Sequence, residues 1–116
     1  MDGLELALLI GTGGAIGAVL RSLVYELLTE ERFPAATLVV NIVGSFVFGL
    51  VAFGGASDDV FFFLGIGACG AFTTYSTFSF ETVRLWQNGR PIAAVVNGAV
   101  NLLSCLGAVG VAWLVI

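Results

Sequence analysis

The sequence predicts an all-α integral membrane protein: a single domain over residues 1–116 with four transmembrane helices, the third of them broken. Three observations predict this. Hydrophobic residues make up 59% of the chain and charged residues 10%, a balance outside that of water-soluble domains. The charges are also segregated, leaving residues 6–25 (interrupted only by Arg21), 33–57, 60–80 and 91–116 with at most one each. Every such stretch can cross a hydrocarbon core of about 30 Å at ~1.5 Å per helical residue. Finally, residues 70–79 place five Ser and Thr side chains and three aromatics inside an apolar segment. Polar or broken helix at that depth is tolerated only where protein or water surrounds it. The spans are placed at about residues 4–28, 34–56, 60–84 and 91–115.

The same composition excludes several classes of function. Eight acidic residues against four arginines, with no lysine, argue against nucleic acid as a partner. An acidic, lysine-free surface also suits a high-salt cytoplasm. Cys69 and Cys105 both fall inside spans and form no CxxC pair; with no histidine in the chain they read as small packing residues. The opening Met1-Asp2-Gly3-Leu4-Glu5 is acidic where a cleavable signal peptide needs a basic start. Basic residues Arg32, Arg84 and Arg90 sit in or beside the first and third loops, which places those loops in the cytoplasm and both termini outside.

The first span carries Gly11, Gly13, Gly14 and Gly17. Gly13 and Gly17 make a GxxxG pair, which lets helix backbones approach closely in lipid. Arg21, near the end of this span, has two readings that position alone leaves open: snorkelling to headgroups, or facing an aqueous vestibule that attracts anions. The second span opens at Phe33-Pro34, proline being tolerated in a first helical turn. Thr37, Asn41 and Ser45 follow at i, i+4 and i+8, one polar stripe on an apolar cylinder. Interhelical hydrogen bonding and a pore lining need the same geometry; three aligned polar residues favour the lining.

In the third span Gly65, Gly67 and Gly70 lead into the Ser/Thr run, and both residue types weaken a helix interior. Hydroxyls that bond back to the backbone bend helices, so a break is expected at about residues 70–75, with carbonyls freed there. Phe72, Tyr75 and Phe78 recur every three residues and are expected on roughly one side. Glu81 and Arg84, at i and i+3, read as a local ion pair. The fourth span starts at Pro91 and repeats the polar stripe with Asn97, Asn101 and Ser104.

Taken in order, Gly14-Ala15-Ile16-Gly17-Ala18-Val19-Leu20-Arg21, Val40-Asn41-Ile42-Val43-Gly44-Ser45-Phe46, the 70–79 run and Asn101-Leu102-Leu103-Ser104 resemble the CrcB/Fluc family of fluoride channels over essentially the whole chain. The resemblance implies an antiparallel dimer of four-helix subunits in the cell membrane, with two fluoride pores near the subunit interface and a structural sodium ion on the dimer axis. It maps the sodium ligands to the backbone carbonyls of Gly70 and Thr73, and the pore aromatics to Tyr75 and Phe78. Asn41 maps to the pore-facing asparagine, with Thr37 on the same polar track. Ser76, Thr77 and Ser104 map to the remaining hydroxyls, and Arg21 to a vestibule. Two positions depart from the family pattern: Tyr75 where phenylalanine is usual, and Ser22 where an aromatic is common. The arginine bias of the loops implies a preferred orientation rather than dual topology, so the oppositely oriented partner is either a second copy or a paralogue.

The chemistry fits this implication. Fluoride is small and strongly hydrated, so a pore must replace its water with donors such as amides and hydroxyls. Aromatic ring edges carry positive potential without a fixed charge, which keeps binding weak enough for release. A proton-coupled small multidrug exporter, the main rival, needs a carboxylate deep in the membrane; Glu5, Glu26 and Glu81 all sit at span ends. An enzyme is disfavoured because the chain has no histidine and no span holds a carboxylate pair. A purely structural subunit would leave two polar stripes and a broken aromatic helix unexplained.

Overall fold

The computed structural model describes residues 1–28 and 33–116; Arg32 lies outside them. The described residues contain no strand, and four of their helices are long and apolar enough to cross a membrane. The first, α1 (Gly3–Leu27), starts where the Asp2 carboxylate accepts the Glu5 N–H at 2.8 Å, satisfying one of the unpaired donors of a first turn. The second, α2 (Ala35–Phe53), follows Pro34.

The third span has several parts. A Ser57-capped turn, α3 (Asp58–Val60), runs into a π-helix over Phe61–Cys69 and then a single α-turn, α4 (Gly70–Phe72). Thr73 is extended, at φ −80° and ψ 161°, and helix resumes only as α5 (Ser76–Gln87). At its far end α5 stops at Gly89, whose φ of +75° is a conformation glycine adopts without strain. There the N–H of Arg90 reaches the Leu85 carbonyl and that of Gly89 the Trp86 carbonyl, the paired bonds of a Schellman stop. Pro91 then opens α6 (Pro91–Val115).

Two packing seams organise the molecule. The first helix lies mainly on the π-helix, whereas α2 and α5 pack on α6. Contact in the first seam is backbone on backbone: a Cβ on Gly13 would strike the carbonyl oxygen of Phe63, and one on Gly17 that of Ala68. The GxxxG pair therefore does its close packing inside the chain. In the second seam Ala36, Val40, Ala94 and Ala112 are buried together with the polar Thr37, Asn97 and Asn101. Large apolar side chains point outward instead, with Leu4, Leu103 and Leu114 all about 70% exposed (70%, 68% and 73%). That distribution inverts the water-soluble rule and suits a lipid surrounding.

Candidate functional site

The site is built around the interruption of the third span at residues 73–75. Helix-breaking chemistry is visible in the hydrogen bonds. The Thr73 hydroxyl bonds back to the Cys69 carbonyl at 2.9 Å. The N–H of Thr74, which in a continuous helix would bond the Gly70 carbonyl, goes to Asn41 Oδ1 at 2.8 Å. Likewise the N–H of Thr77, which would bond Thr73, goes to the Thr74 hydroxyl at 3.0 Å. Side chains have thus taken the helical donors of both carbonyls, and the Thr74 hydroxyl caps the restart of the helix.

Asn41 holds the other face of the break as well. Its Nδ2 donates to the Thr74 carbonyl at 3.1 Å and to Asn101 Oδ1 at 3.3 Å. Both amide protons and the amide oxygen therefore have partners, so Asn41 grips the Thr74 backbone on both sides.

An open groove of about 330 Å³ borders the interruption, lined by Asn41, Ser45, Thr73, Thr74, Tyr75, Phe78, Asn101 and Cys105, with Gly98 and Leu102. No charged side chain lines it. The rings of Tyr75 and Phe78 lie 6.0 Å apart at 44°, and Tyr75 is 80% exposed. Phe72 does not share their side. It faces an apolar cavity with Gly17, Val43 and Ala68, because the extended residue at 73 resets the helical phase between the aromatics.

The remaining candidates divide among three places. Gly70 and Thr73 line an adjoining cavity of about 300 Å³ with Ser45, Cys69 and Val109. Arg21, Ser22, Tyr25, Glu26 and Thr77 line a polar cavity of about 400 Å³ at the end of α1. Thr37 is fully buried, its hydroxyl meeting the Tyr25 hydroxyl at 2.5 Å and donating to Glu81 at 2.5 Å. Glu81 thus has a partner across helices. Ser76 is exposed and Ser104 half-buried; at that level of α6 it is Cys105 that lines the groove.

Sequence reasoning passed over Thr74, Tyr25 and Thr82. The Thr82 hydroxyl donates to the Phe78 carbonyl at 2.8 Å and accepts from Asn97 at 2.9 Å. Its place one turn after Phe78 was the available signal. Thr74 stood inside the hydroxyl run with nothing to mark it as the residue Asn41 grips.

Comparison with known proteins assigns the chain's kinship. The family model for CrcB-like protein, camphor resistance (CrcB), matches residues 8–113. Fluoride-specific ion channel FluC 2 of Haloarcula marismortui is 48% identical over 113 residues, which cover 97% of this chain and 95% of the relative. FluC 1 of Halobacterium salinarum is 46% identical over 110 residues, which cover 95% of this chain and 92% of its own length. FluC 3 of Methanosarcina acetivorans is 41% identical across 91% of this chain and 96% of its own. With four helices able to cross a membrane and a likeness that runs almost end to end, the chain is a multi-pass membrane protein of the CrcB-like family.

Proposed function

We propose that this protein is a fluoride-selective channel that lets cytoplasmic fluoride leave passively down its electrochemical gradient. The observation that supports it most is the uncharged groove at the interrupted span, where Tyr75 and Phe78 stand beside the neutral polar side chains of Asn101 and Ser45. Ring edges and neutral donors offer a small anion weak, replaceable partners. The amino-terminal end of α5 opens at the same place and adds positive potential there. Asn41 supports the path by holding its wall, Thr77 adds a hydroxyl to the Arg21 cavity, Ser76 and Ser104 adjoin the groove residues Tyr75 and Cys105 in sequence, and the buried Thr37 steadies Tyr25 and Glu81. Arg21, in the polar cavity at the end of α1, draws anions toward one mouth.

The groove is open on one side and Tyr75 is largely uncovered, so the path needs a second subunit, in antiparallel orientation, to complete its wall. The partner is a second copy or a paralogue. A structural sodium ion belongs to the same reading. The carbonyls of Gly70 and Thr73 have lost their helical donors to Asn41 and Thr74, and freed carbonyls are suited to a hard cation. One pair of oxygens is too few, so the partner subunit would bring its own. When bound, such an ion braces the broken helices and biases the local potential toward anions.

Purified protein in liposomes tests the channel. Fluoride should leave without any proton gradient, while chloride stays at the leak of empty vesicles. Equal passage of the two halides would defeat the reading.

A further inference from the structure

The proposed path leaves two polar side chains without a task. Asn97 is fully buried on α6 and Thr82 half-buried on α5, and neither lines the groove. Both belong to a line of hydrogen bonds that runs in one direction only. The Thr74 N–H donates to Asn41 Oδ1, and Asn41 Nδ2 to Asn101 Oδ1. From there Asn101 Nδ2 donates to Asn97 Oδ1 at 3.0 Å, Asn97 Nδ2 to the Thr82 hydroxyl, and that hydroxyl to the Phe78 carbonyl. The line leaves the third span at the break and rejoins it at Phe78, one helical turn on.

Its direction is set from both ends. A threonine hydroxyl has one proton; because Thr82 gives it to Phe78, Asn97 must present Nδ2 to Thr82 and Oδ1 to Asn101. Asn101 must then present Oδ1 to Asn41, leaving Asn41 to donate. At the other end, the N–H and carbonyl of Thr74 require the same orientation of Asn41. Reversing Asn41 or Asn101 would set donor against donor at one joint and acceptor against acceptor at the next, and reversing Asn97 would set its Nδ2 against that of Asn101 and draw the Thr82 proton away from Phe78.

We propose that Asn97 and Thr82 are positioning residues: they fix the orientation of the Asn41 amide and so tie the broken backbone at Thr74 and the aromatic at Phe78 into one unit. Neither touches the permeating ion. Their effect on flux rests on the fluoride-channel reading, whereas their effect on Thr74 does not.

The full-length protein carries the test, as Thr82→Val, Thr82→Ser, Asn97→Leu and the double variant Asn97→Leu/Thr82→Val. Hydrogen exchange at the Thr74 backbone N–H should speed up roughly tenfold or more in Thr82→Val and Asn97→Leu, the scale of losing one buried hydrogen-bond partner. Thr82→Ser, which keeps the hydroxyl, should exchange like the wild type. Fluoride flux should fall in the same order, with the double variant no worse than Asn97→Leu alone, since members of one network are not additive. Unchanged exchange at Thr74 in Thr82→Val, a serine variant as damaged as the valine one, or additive losses would each overturn the proposal. If the variants do not fold, the wild type decides: the side-chain amide protons of Asn41, Asn97 and Asn101 should open together in graded denaturant, and independent opening would overturn it. A wild-type protein that passes no fluoride would sink the channel reading alone, with exchange at Thr74 still judging the relay.

Discussion

The two packing seams solve the same problem, holding helices together in lipid, by opposite means. Between α1 and the π-helix, Gly13, Gly17 and Gly67 let carbonyl groups seat against the facing backbone, and dispersion at close range holds the contact. Between α2, α5 and α6 small apolar residues pack beside amides and hydroxyls that partner one another, and among the described residues no buried side-chain nitrogen or oxygen lacks a partner. Close packing is strong but carries no chemistry. Hydrogen bonds across helices are individually weak, about 0.6 kcal/mol on average in a membrane, yet they fix which way each polar group points. The glycine seam serves as scaffold, and the polar seam determines the site.

This contrast predicts different failures. The largest is expected at Gly17→Leu, where a side chain must enter space held by the Ala68 carbonyl. Backbone cannot yield as a side chain does, so the cost should be about 3 kcal/mol or more, at or beyond the upper end for overpacking. Unfolding in mixed micelles measures it; a Gly17→Leu protein as stable as wild type would mean the two helices are not in backbone contact. Next is Asn41→Ala, which strips both partners from the Thr74 backbone. Leaving buried groups unpaired costs about 1–3 kcal/mol, and flux should drop steeply while α1 stays on the π-helix. Wild-type flux in Asn41→Ala would show that the grip on Thr74 does not shape the path.

How far the sequence discloses these two regions differs in the same way. Span number follows from the charge-free stretches, because lipid penalises charge wherever it falls and needs no knowledge of neighbours. The interruption at 73–75 lies within the region that glycines and hydroxyls mark. The i, i+4 spacing of Asn97 and Asn101 places them on one face, and they do meet there. What spacing cannot give is a partner across helices: it shows where Asn41 points, not that it meets the backbone of Thr74. Nor does it give helical winding. Aromatic recurrence at 72, 75 and 78 assumes one continuous helix, and the extended residue at 73 turns Phe72 away from the other two. The π-helix over Phe61–Cys69 escaped for a related reason, since an apolar run reads alike at any helical pitch. Tyr25 was missed because its partner Thr37 comes from another helix.

Tyr25 also supplies the smallest and sharpest test of the contrast, because α1 belongs to the glycine seam for most of its length and to the polar one only in its last turns. Its hydroxyl meets Thr37, which in turn donates to Glu81, and its ring lines the cavity that holds Arg21 and Thr77. Tyr25→Phe keeps the ring and removes only the hydroxyl. Thr37 retains Glu81, so the loss should be at least that of one ordinary hydrogen bond, about 0.5–1.5 kcal/mol. If the seams are mechanically separate, this loss should add to that of a substitution at Gly17, as distant independent sites do, within about 0.5 kcal/mol. Stability of the two single variants and the double variant, measured in the same micelles, checks it. A coupling well beyond that margin would mean that α1 transmits strain from its glycine contacts to Thr37, and that scaffold and site are one mechanical unit after all.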